Sequence, residues 1–370
     1  MSPRINFARG VPAEAAFPRD QIALCAQALS RSNDPAAFQY GPASGPVRLR
    51  EWVAGHHDVD TAEVMVGNGS VALFDLLCRT WLEHGRLKPG QPVLVEAPCY
   101  DRVLHLLRSH GAHVIPVPVD ADGPDIAAIE AGCAGRPALF YCVPDFQNPS
   151  GAVYPAEKRH AVIALARAHG FTIIEDSPYR LLRYEGAAEP SFLELAPDVT
   201  IQLNSFSKLI SPGLRAAYLI APAPIVAQVA RFAEQTYVTP GNFALSLAAE
   251  WLHRGHLEPQ IAHLRRLYGP RLRSMLAALD SFLPGQRFLR PEGGFFVGLT
   301  LSEPVDADLL LAEAGRAGVD LADGSGFFIE RPATPFLRLP FGSMDEAIAR
   351  RGVGILAEVL GRLGTAGRNP

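Results

Sequence analysis

Between residues 64 and 220, short and almost wholly apolar runs alternate with stretches of helical spacing, and this alternation limits the folds open to the chain. The runs are Val64-Met65-Val66, Val93-Leu94-Val95, Val114-Ile115-Pro116-Val117, Ala138 to Val143, Phe171 to Ile174, Val199 to Leu203 and Ala217 to Ile220. A strand that is apolar at successive positions, not at every second one, is covered on both faces. Helices fit between the runs. Ser70 can cap one carrying Val71, Leu73, Phe74, Leu76 and Leu77, with Gly85 as its stop. Asp101 can cap a second, holding Val103, Leu104, Leu106 and Leu107 and ending at Gly111. Pro155 suits the first turn of a third, which runs to His169-Gly170. The pattern predicts an α/β fold, a three-layer sandwich around a mostly parallel sheet.

A chain of 370 residues has room for two domains. A long helical stretch from near His256 toward Leu283 leads into a smaller α+β tail. The tail mixes strands (Phe295 to Val297, Phe336 to Leu339) with helices (Ala307 to Ala317, Met344 to Leu363). We therefore expect an N-terminal arm over 1–35 that belongs to the smaller domain, a large domain over 36–255 and a small domain over 256–370. The arm carries one clear helical signal, from Gln21 to Leu29.

A net charge of -4 and a pI near 6.3 leave no basic footprint for nucleic acid. No apolar run approaches the ~18 residues of a membrane span. Residues 1–6 lack the apolar core of a signal peptide. Five cysteines without a Cys-x-x-Cys read as free thiols in a reducing compartment, so a cytoplasmic location is expected. The eleven histidines have no familiar metal spacing, and no metal is expected.

Ligands of open parallel sheets sit at the carboxyl ends of the strands, and the suggestive polar residues fall there. Ser205-Phe206-Ser207-Lys208, with Arg215 seven residues on, gathers two hydroxyls, an amine and a guanidinium. The amine can condense with an aldehyde while the others hold a phosphate dianion. Pro212-Gly213 turns Arg215 back toward Lys208. Taken alone, such a lysine is more often a solvated loop residue, but Lys208 follows a buried strand within a serine-rich turn. Gly67-Asn68-Gly69-Ser70 opens a helix whose free N–H groups at Ser70 and Val71 could bind phosphate, though Ser70 could also be a plain cap. The same glycines fit a loose dinucleotide fingerprint, but no acidic residue ends a second strand at the ~20-residue distance that a ribose needs.

Asp176 closes a buried strand and needs a partner, for which a protonated pyridine nitrogen would serve; a capping aspartate is the alternative. Glu175 should face the other way. Tyr179 follows three residues later. Asn148, in Gln147-Asn148-Pro149-Ser150-Gly151, could donate to a phenolate oxygen or be an ordinary turn asparagine. Tyr100 could stack on a flat ring or pack in its loop. Arg338, flanked by Leu337 and Leu339, could fork onto a carboxylate or point to water. Together these residues point to pyridoxal 5'-phosphate.

From about Gly10 to Phe341 the chain resembles fold-type I pyridoxal-phosphate enzymes of the class I/II aminotransferase family. The resemblance is carried by Gly10-Val11-Pro12, Tyr40-Gly41, Gly67-Asn68-Gly69-Ser70, Gln147-Asn148-Pro149-Ser150-Gly151, Asp176-Ser177-Pro178-Tyr179, Ser205-Phe206-Ser207-Lys208, Pro212-Gly213-Leu214-Arg215, Pro291 to Phe296 and Arg338-Leu339. Within the family the chain looks closest to the branch of the 2-aminoadipate aminotransferases and the catalytic-like halves of fused transcription regulators. The resemblance implies that Lys208 carries the cofactor and later moves a proton between the substrate Cα and the cofactor. It implies that Asp176 pairs with the pyridine nitrogen, that Asn148 and Tyr179 bond the phenolate oxygen, and that Tyr100 stacks on the ring. Ser70, Val71, Ser205, Ser207 and Arg215 would hold the phosphate. Tyr40 would reach the phosphate of a second subunit, implying a homodimer. Arg338 and Asn148 would hold the substrate α-carboxylate, and the arm around Gly10 would cover the site.

Three departures bear on substrate choice. Gly298 stands where the family often has tryptophan, which predicts a more open wall. Ala217 replaces a usual glycine, and Asp323 to Phe327 lacks a usual proline-glycine pair. Arg9, Arg19 and the surroundings of Gly298 are the candidates for reading the substrate side chain. Transamination between an α-amino acid and a 2-oxo acid is the expected reaction. Another pyridoxal-phosphate reaction on amino acids (elimination, cyclisation or oxidation) would use the same residues. A regulator's effector domain is a further alternative, and few residues precede Tyr40 to hold a helix-turn-helix.

Overall fold

The computed structural model describes residues 4–32 and 34–366. Its strands, in chain order, are β1 (Ile5–Asn6), β2 (Val64–Gly67), β3 (Pro92–Ala97), β4 (His113–Asp120), β5 (Gly123–Pro124), β6 (Leu139–Cys142), β7 (Thr172–Asp176), β8 (Thr200–Ser205), β9 (Ala217–Ile220), β10 (Arg287–Phe288), β11 (Phe296–Thr300), β12 (Val319–Asp320) and β13 (Phe336–Pro340). Eight of them form one sheet in the order β2-β9-β8-β7-β6-β3-β4-β5. The pairs from β8 to β4 are parallel, and β9 runs against both of its neighbours.

Every residue of β2, β6, β7, β8 and β9 is buried, as apolar strands between two helical layers require. Alternation along the strands divides the core. Leu94, Phe140 and Ile173 join one cluster, while Val95, Tyr141 and Ile174 join a larger one on the other face. The expectation for 114–117 is only half met. Within that run only Val117 is buried, because β4 lies near the sheet edge with two-residue β5 as its outer neighbour.

Residues 287–340 supply a separate antiparallel sheet, β10-β11-β13. The helix Leu257–Phe282 packs along the helix Glu346–Ala366 beside it. The arm returns to this part of the molecule through parallel pairing of β1 with β12. Its helix is longer than the 21–29 signal, spanning Arg19–Arg31, and packs on the helix Asn242–His253.

Two capping expectations and one first-turn expectation fail for one reason, that the helices begin later or earlier by a residue. Ser70 is the first helical residue after Gly69 and makes no side-chain cap. Asp101 likewise begins its helix after Tyr100, and its carboxylate accepts only from the adjacent Arg102 N–H. Pro155 sits at the N-cap, one residue before the helix Ala156–His169. No described helix is long and apolar enough to cross a membrane.

Candidate functional site

A cavity of about 650 Å³ opens at the carboxyl ends of the parallel strands, between the large sheet and β11 and β13. One end of it is a cradle for an anion. Gly69 takes a φ of +108°, and a Cβ built there would lie 2.1 Å from Arg215 Nη2. Only glycine lets the guanidinium rest on this turn. Arg215 Nη2 donates to the Asn68 carbonyl at 3.4 Å. Ser205 ends β8, and its Oγ accepts the Ser207 N–H at 3.2 Å and lies 2.9 Å from Ser207 Oγ. These groups face the start of the helix Ser70–Glu83, whose uncapped first N–H groups and dipole favour negative charge. Because Ser70 does not cap, its hydroxyl is free for a ligand.

Lys208 stands at the end of a single 3-10 turn, Phe206–Lys208, and reaches across to the arm. Its Nζ donates to the Gly10 carbonyl at 3.3 Å and lies 5.2 Å from the centre of the Phe295 ring. Burial, then the charges of Arg338 and Arg215, push its pKa down to about 8. About a tenth of the amine is thus neutral at pH 7, far more than for an ordinary lysine.

Asp176 ends β7 and is buried. Tyr141 donates to its Oδ2 at 2.5 Å, while Oδ1 is buried without a partner. Burial pushes the carboxyl up to about 7, against the pull of the Tyr141 bond. A buried acceptor left open is costly unless a donor arrives. A protonated ring nitrogen is such a donor, so the residues present fit a pyridine with a phosphate arm. Glu175 faces the other way, as expected, and accepts from the Phe192 and Leu193 N–H groups and from Gln202.

At the opposite end of the cavity stands a guanidinium, a group that can fork onto a carboxylate. Arg338, on β13, donates to Asn148 Oδ1 at 3.1 Å and to the Ala8 carbonyl at 3.2 Å. Its guanidinium lies 4.6 and 4.8 Å from the Phe296 and Phe327 ring centres. Although β13 is an edge strand, this is a half-buried cation packed near two aromatic rings and does not point to water. Gly10 closes the roof: a Cβ there would meet the Phe296 ring at 2.2 Å. Burial pushes the phenols of Tyr100 and Tyr179 upward, so both are donors here.

The cavity lining brings together Gly10, Ser70, Val71, Tyr100, Asn148, Asp176, Tyr179, Ser205, Ser207, Lys208, Arg215 and Arg338. Tyr40 does not line it, being 77% exposed beside Gly41 and Pro42. Arg9 is at the mouth, whereas Arg19 is exposed near Glu14 and lies outside. Gly298 is not a cavity wall either. It faces a neighbouring cavity of about 710 Å³, where a Cβ would come within 2.8 Å of Ser150 Cα and O. The expected widening of the site at Gly298 is therefore wrong, since this glycine permits close packing of β11 on the Ser150 turn. Ala217 is accommodated, fully buried, opposite Ser205 in β8.

Residues not foreseen are Tyr141, Phe296 and Phe327, and the charged Asp101, Arg102 and Asp323 at the mouth. The one available signal was a phenol two residues along an otherwise apolar strand, which must find a partner when buried.

The family described as "Aminotransferase class I and II" matches residues 3–355. A 2-aminoadipate transaminase of Thermus thermophilus is 33% identical over 368 residues, covering 98% of this chain and 89% of that protein. An aromatic-amino-acid aminotransferase of Thermococcus litoralis is 31% identical over 372 residues, covering 96% and 88%. Among solved structures, an alpha-aminoadipate aminotransferase from Thermus thermophilus, complexed with N-(5'-phosphopyridoxyl)-L-leucine, superposes with a TM-score of 0.92 at 31% identity. That match covers 98% of this chain and 93% of the other.

Proposed function

The chain belongs to the class I and II aminotransferases, and from that premise we propose how its residues divide the transfer of an amino group from an α-amino acid to a 2-oxo acid. Pyridoxal phosphate is the cofactor, and when bound it supplies an aldehyde for the amino group and a cationic ring that draws electrons from the substrate α-carbon. Ser70, Val71, Ser205, Ser207 and Arg215 hold its phosphate. Asp176 holds a proton at the ring nitrogen through Oδ1. Tyr179 and Asn148 donate to the phenolate oxygen, and Tyr100 covers the ring. Lys208 would be the attachment point, and its Nζ would take the proton from the substrate Cα and deliver it to the cofactor. Arg338, with Asn148, clamps the α-carboxylate, and the Gly10 segment excludes water.

One observation carries this assignment: an amine with a pKa near 8 and a buried carboxylate oxygen without a donor share one cavity. Lys208→Ala should bind the cofactor and lose turnover, and full activity in that variant would refute the assignment. Amino transfer to a panel of 2-oxo acids separates transamination from other chemistry of the same cofactor. No transfer from any donor would favour the latter. The names of the relatives make 2-aminoadipate and aromatic amino acids the first donors to test.

A second copy of the chain completes this scheme. Tyr40 and Phe38 are 77% and 62% exposed, and the Phe38 ring lies 5.4 Å from that of Phe243. An exposed aromatic patch of this kind suits a homodimer interface across which Tyr40 reaches the partner's phosphate. The division into an arm over 1–35, a large domain over 36–255 and a small domain over 256–370, and a cytoplasmic role in amino-acid metabolism, belong to the same proposal.

A further inference from the structure

We propose that Glu96 is a positioning residue for this reaction: its buried carboxylate fixes the amide of Gln147 and, through it, the turn that presents Asn148 to the cavity. It rests on the assignment of Asn148 to the phenolate oxygen and to Arg338.

Glu96 lies near the end of β3 and touches neither the cavity nor solvent. Its Oε1 accepts from the Val143 N–H at 3.1 Å and from the Tyr154 hydroxyl. Its Oε2 accepts from Gln147 Nε2 at 2.9 Å. The same Nε2 donates to the Pro98 carbonyl at 2.6 Å. Both protons of the Gln147 amide are thereby committed, so its oxygen must point the other way. There Oε1 accepts from the Ser150 N–H at 2.8 Å and the Ser150 hydroxyl at 2.7 Å. Ser150 Oγ in turn accepts from the Ala152 N–H, and the Gly151 N–H donates to the Gln147 carbonyl at 2.7 Å. The turn that holds Asn148 is thus closed on itself by an amide that Glu96 orients.

The effect reaches two more ligand-facing residues. The Ser150 carbonyl accepts from the Gly298 N–H at 3.0 Å, and Gly298 pairs with Arg338 across β11 and β13. Pro98 lies two residues before Tyr100. One carboxylate therefore joins the segments that carry Tyr100 and Asn148 and the strand beside Arg338. A carboxylate in this dry position is costly, and burial pushes its pKa up to about 7 against three donors. An amide cannot replace it. In Glu96→Gln the new NH₂ faces either Gln147 Nε2 or the Val143 N–H, donor against donor, although the Tyr154 hydroxyl can turn to accept.

The test compares Glu96→Gln, Tyr154→Phe and Asn148→Ala with the parent. Amide exchange of residues 150–152 is read in the protein without cofactor. The pH midpoint of the bound cofactor's absorbance, kcat and KM are read in the holoenzyme. Glu96→Gln should exchange faster in that segment. Its midpoint should rise with that of Asn148→Ala by about one unit, and its KM for the amino acid should rise about tenfold with less change in kcat. Tyr154→Phe, which spares the Gln147 link, should leave midpoint and KM unchanged. Wild-type exchange and midpoint in Glu96→Gln would overturn the proposal, as would the same changes in Tyr154→Phe. If Asn148→Ala leaves the midpoint unmoved, the assignment of Asn148 fails instead, and exchange alone then decides the role of Glu96. If Glu96→Gln does not fold, Gln147→Met cuts the same link from its other end, with the same expected and contrary results.

Discussion

The Tyr141 hydroxyl donates to Asp176 Oδ2 at 2.5 Å from the neighbouring strand, while Oδ1 of this cavity-lining residue is buried without a partner. The bond favours the ionised carboxylate and opposes the burial that holds its pKa at about 7. Tyr141→Phe should therefore raise the Asp176 pKa further. In the pH profile of kcat/KM, the acidic limb should move upward by about one unit, with the alkaline limb in place. An unmoved acidic limb would show that the bond does not tune Asp176.

The same carboxylate should be visible in the stability of the protein without cofactor. Asp176 and Glu96 both have folded pKa values of about 7, above their unfolded values near 4. The folded state binds the extra protons, so their stabilisation is complete below about pH 4 and is lost as pH rises through about 7. Asp176→Asn removes one of the two. Its Tm should fall less steeply than the parent's between about pH 5 and 7, with a difference of at most about 4 kcal/mol across the window. Parallel curves would contradict the burial argument.

Arg338 makes a two-handed contact, to Asn148 and to the Ala8 carbonyl, between two phenyl rings. Lysine keeps the charge but loses the fork and the stacking. Arg338→Lys should raise the amino-acid KM by roughly 10- to 100-fold, the loss of about 1.5–3 kcal/mol expected for a charged hydrogen-bonded pair. Cofactor affinity should change little. A variant with lowered kcat and unchanged KM would remove Arg338 from carboxylate binding.

Gly298 gives a prediction opposite to the one its sequence context suggests. Alanine there would place a methyl group within 2.8 Å of Ser150 Cα and O and 3.0 Å of the Phe336 ring. Two of these three contacts are backbone, so the strand must shift. Gly298→Ala should lower stability by about 1–3 kcal/mol, read as a fall in Tm. An unchanged Tm would mean that β11 has slack that this packing does not show.

How legible the site was in the sequence depended on where each residue stood. Asp176 ends an apolar strand and Lys208, Asn148 and Tyr100 follow the ends of others, and strand ends are where open parallel sheets gather ligand groups. Arg338 stood out as a charge between leucines. Tyr141 lies inside an apolar strand and is indistinguishable there from a core aromatic until β7 is laid beside it. Glu96 was hidden for a similar reason: its three donors, Val143, Gln147 and Tyr154, come from a segment distant in sequence. The fold was legible from the continuous apolar runs. The pairing of β1 with β12 was not, because two-residue strands carry no periodicity. Helix starts erred by one residue because Ser70 and Asp101 have side chains that favour capping but sit just inside the helix.

The most direct measurement is the covalent state of Lys208. The purified protein, supplied with pyridoxal phosphate, is reduced with borohydride, digested and mapped by mass spectrometry. The expected result is a yellow protein that bleaches on reduction, with one phosphopyridoxyl group on the Lys208 peptide and none in Lys208→Ala. An unmodified Lys208, or a modification distributed over surface lysines and retained in Lys208→Ala, would contradict the account at its centre.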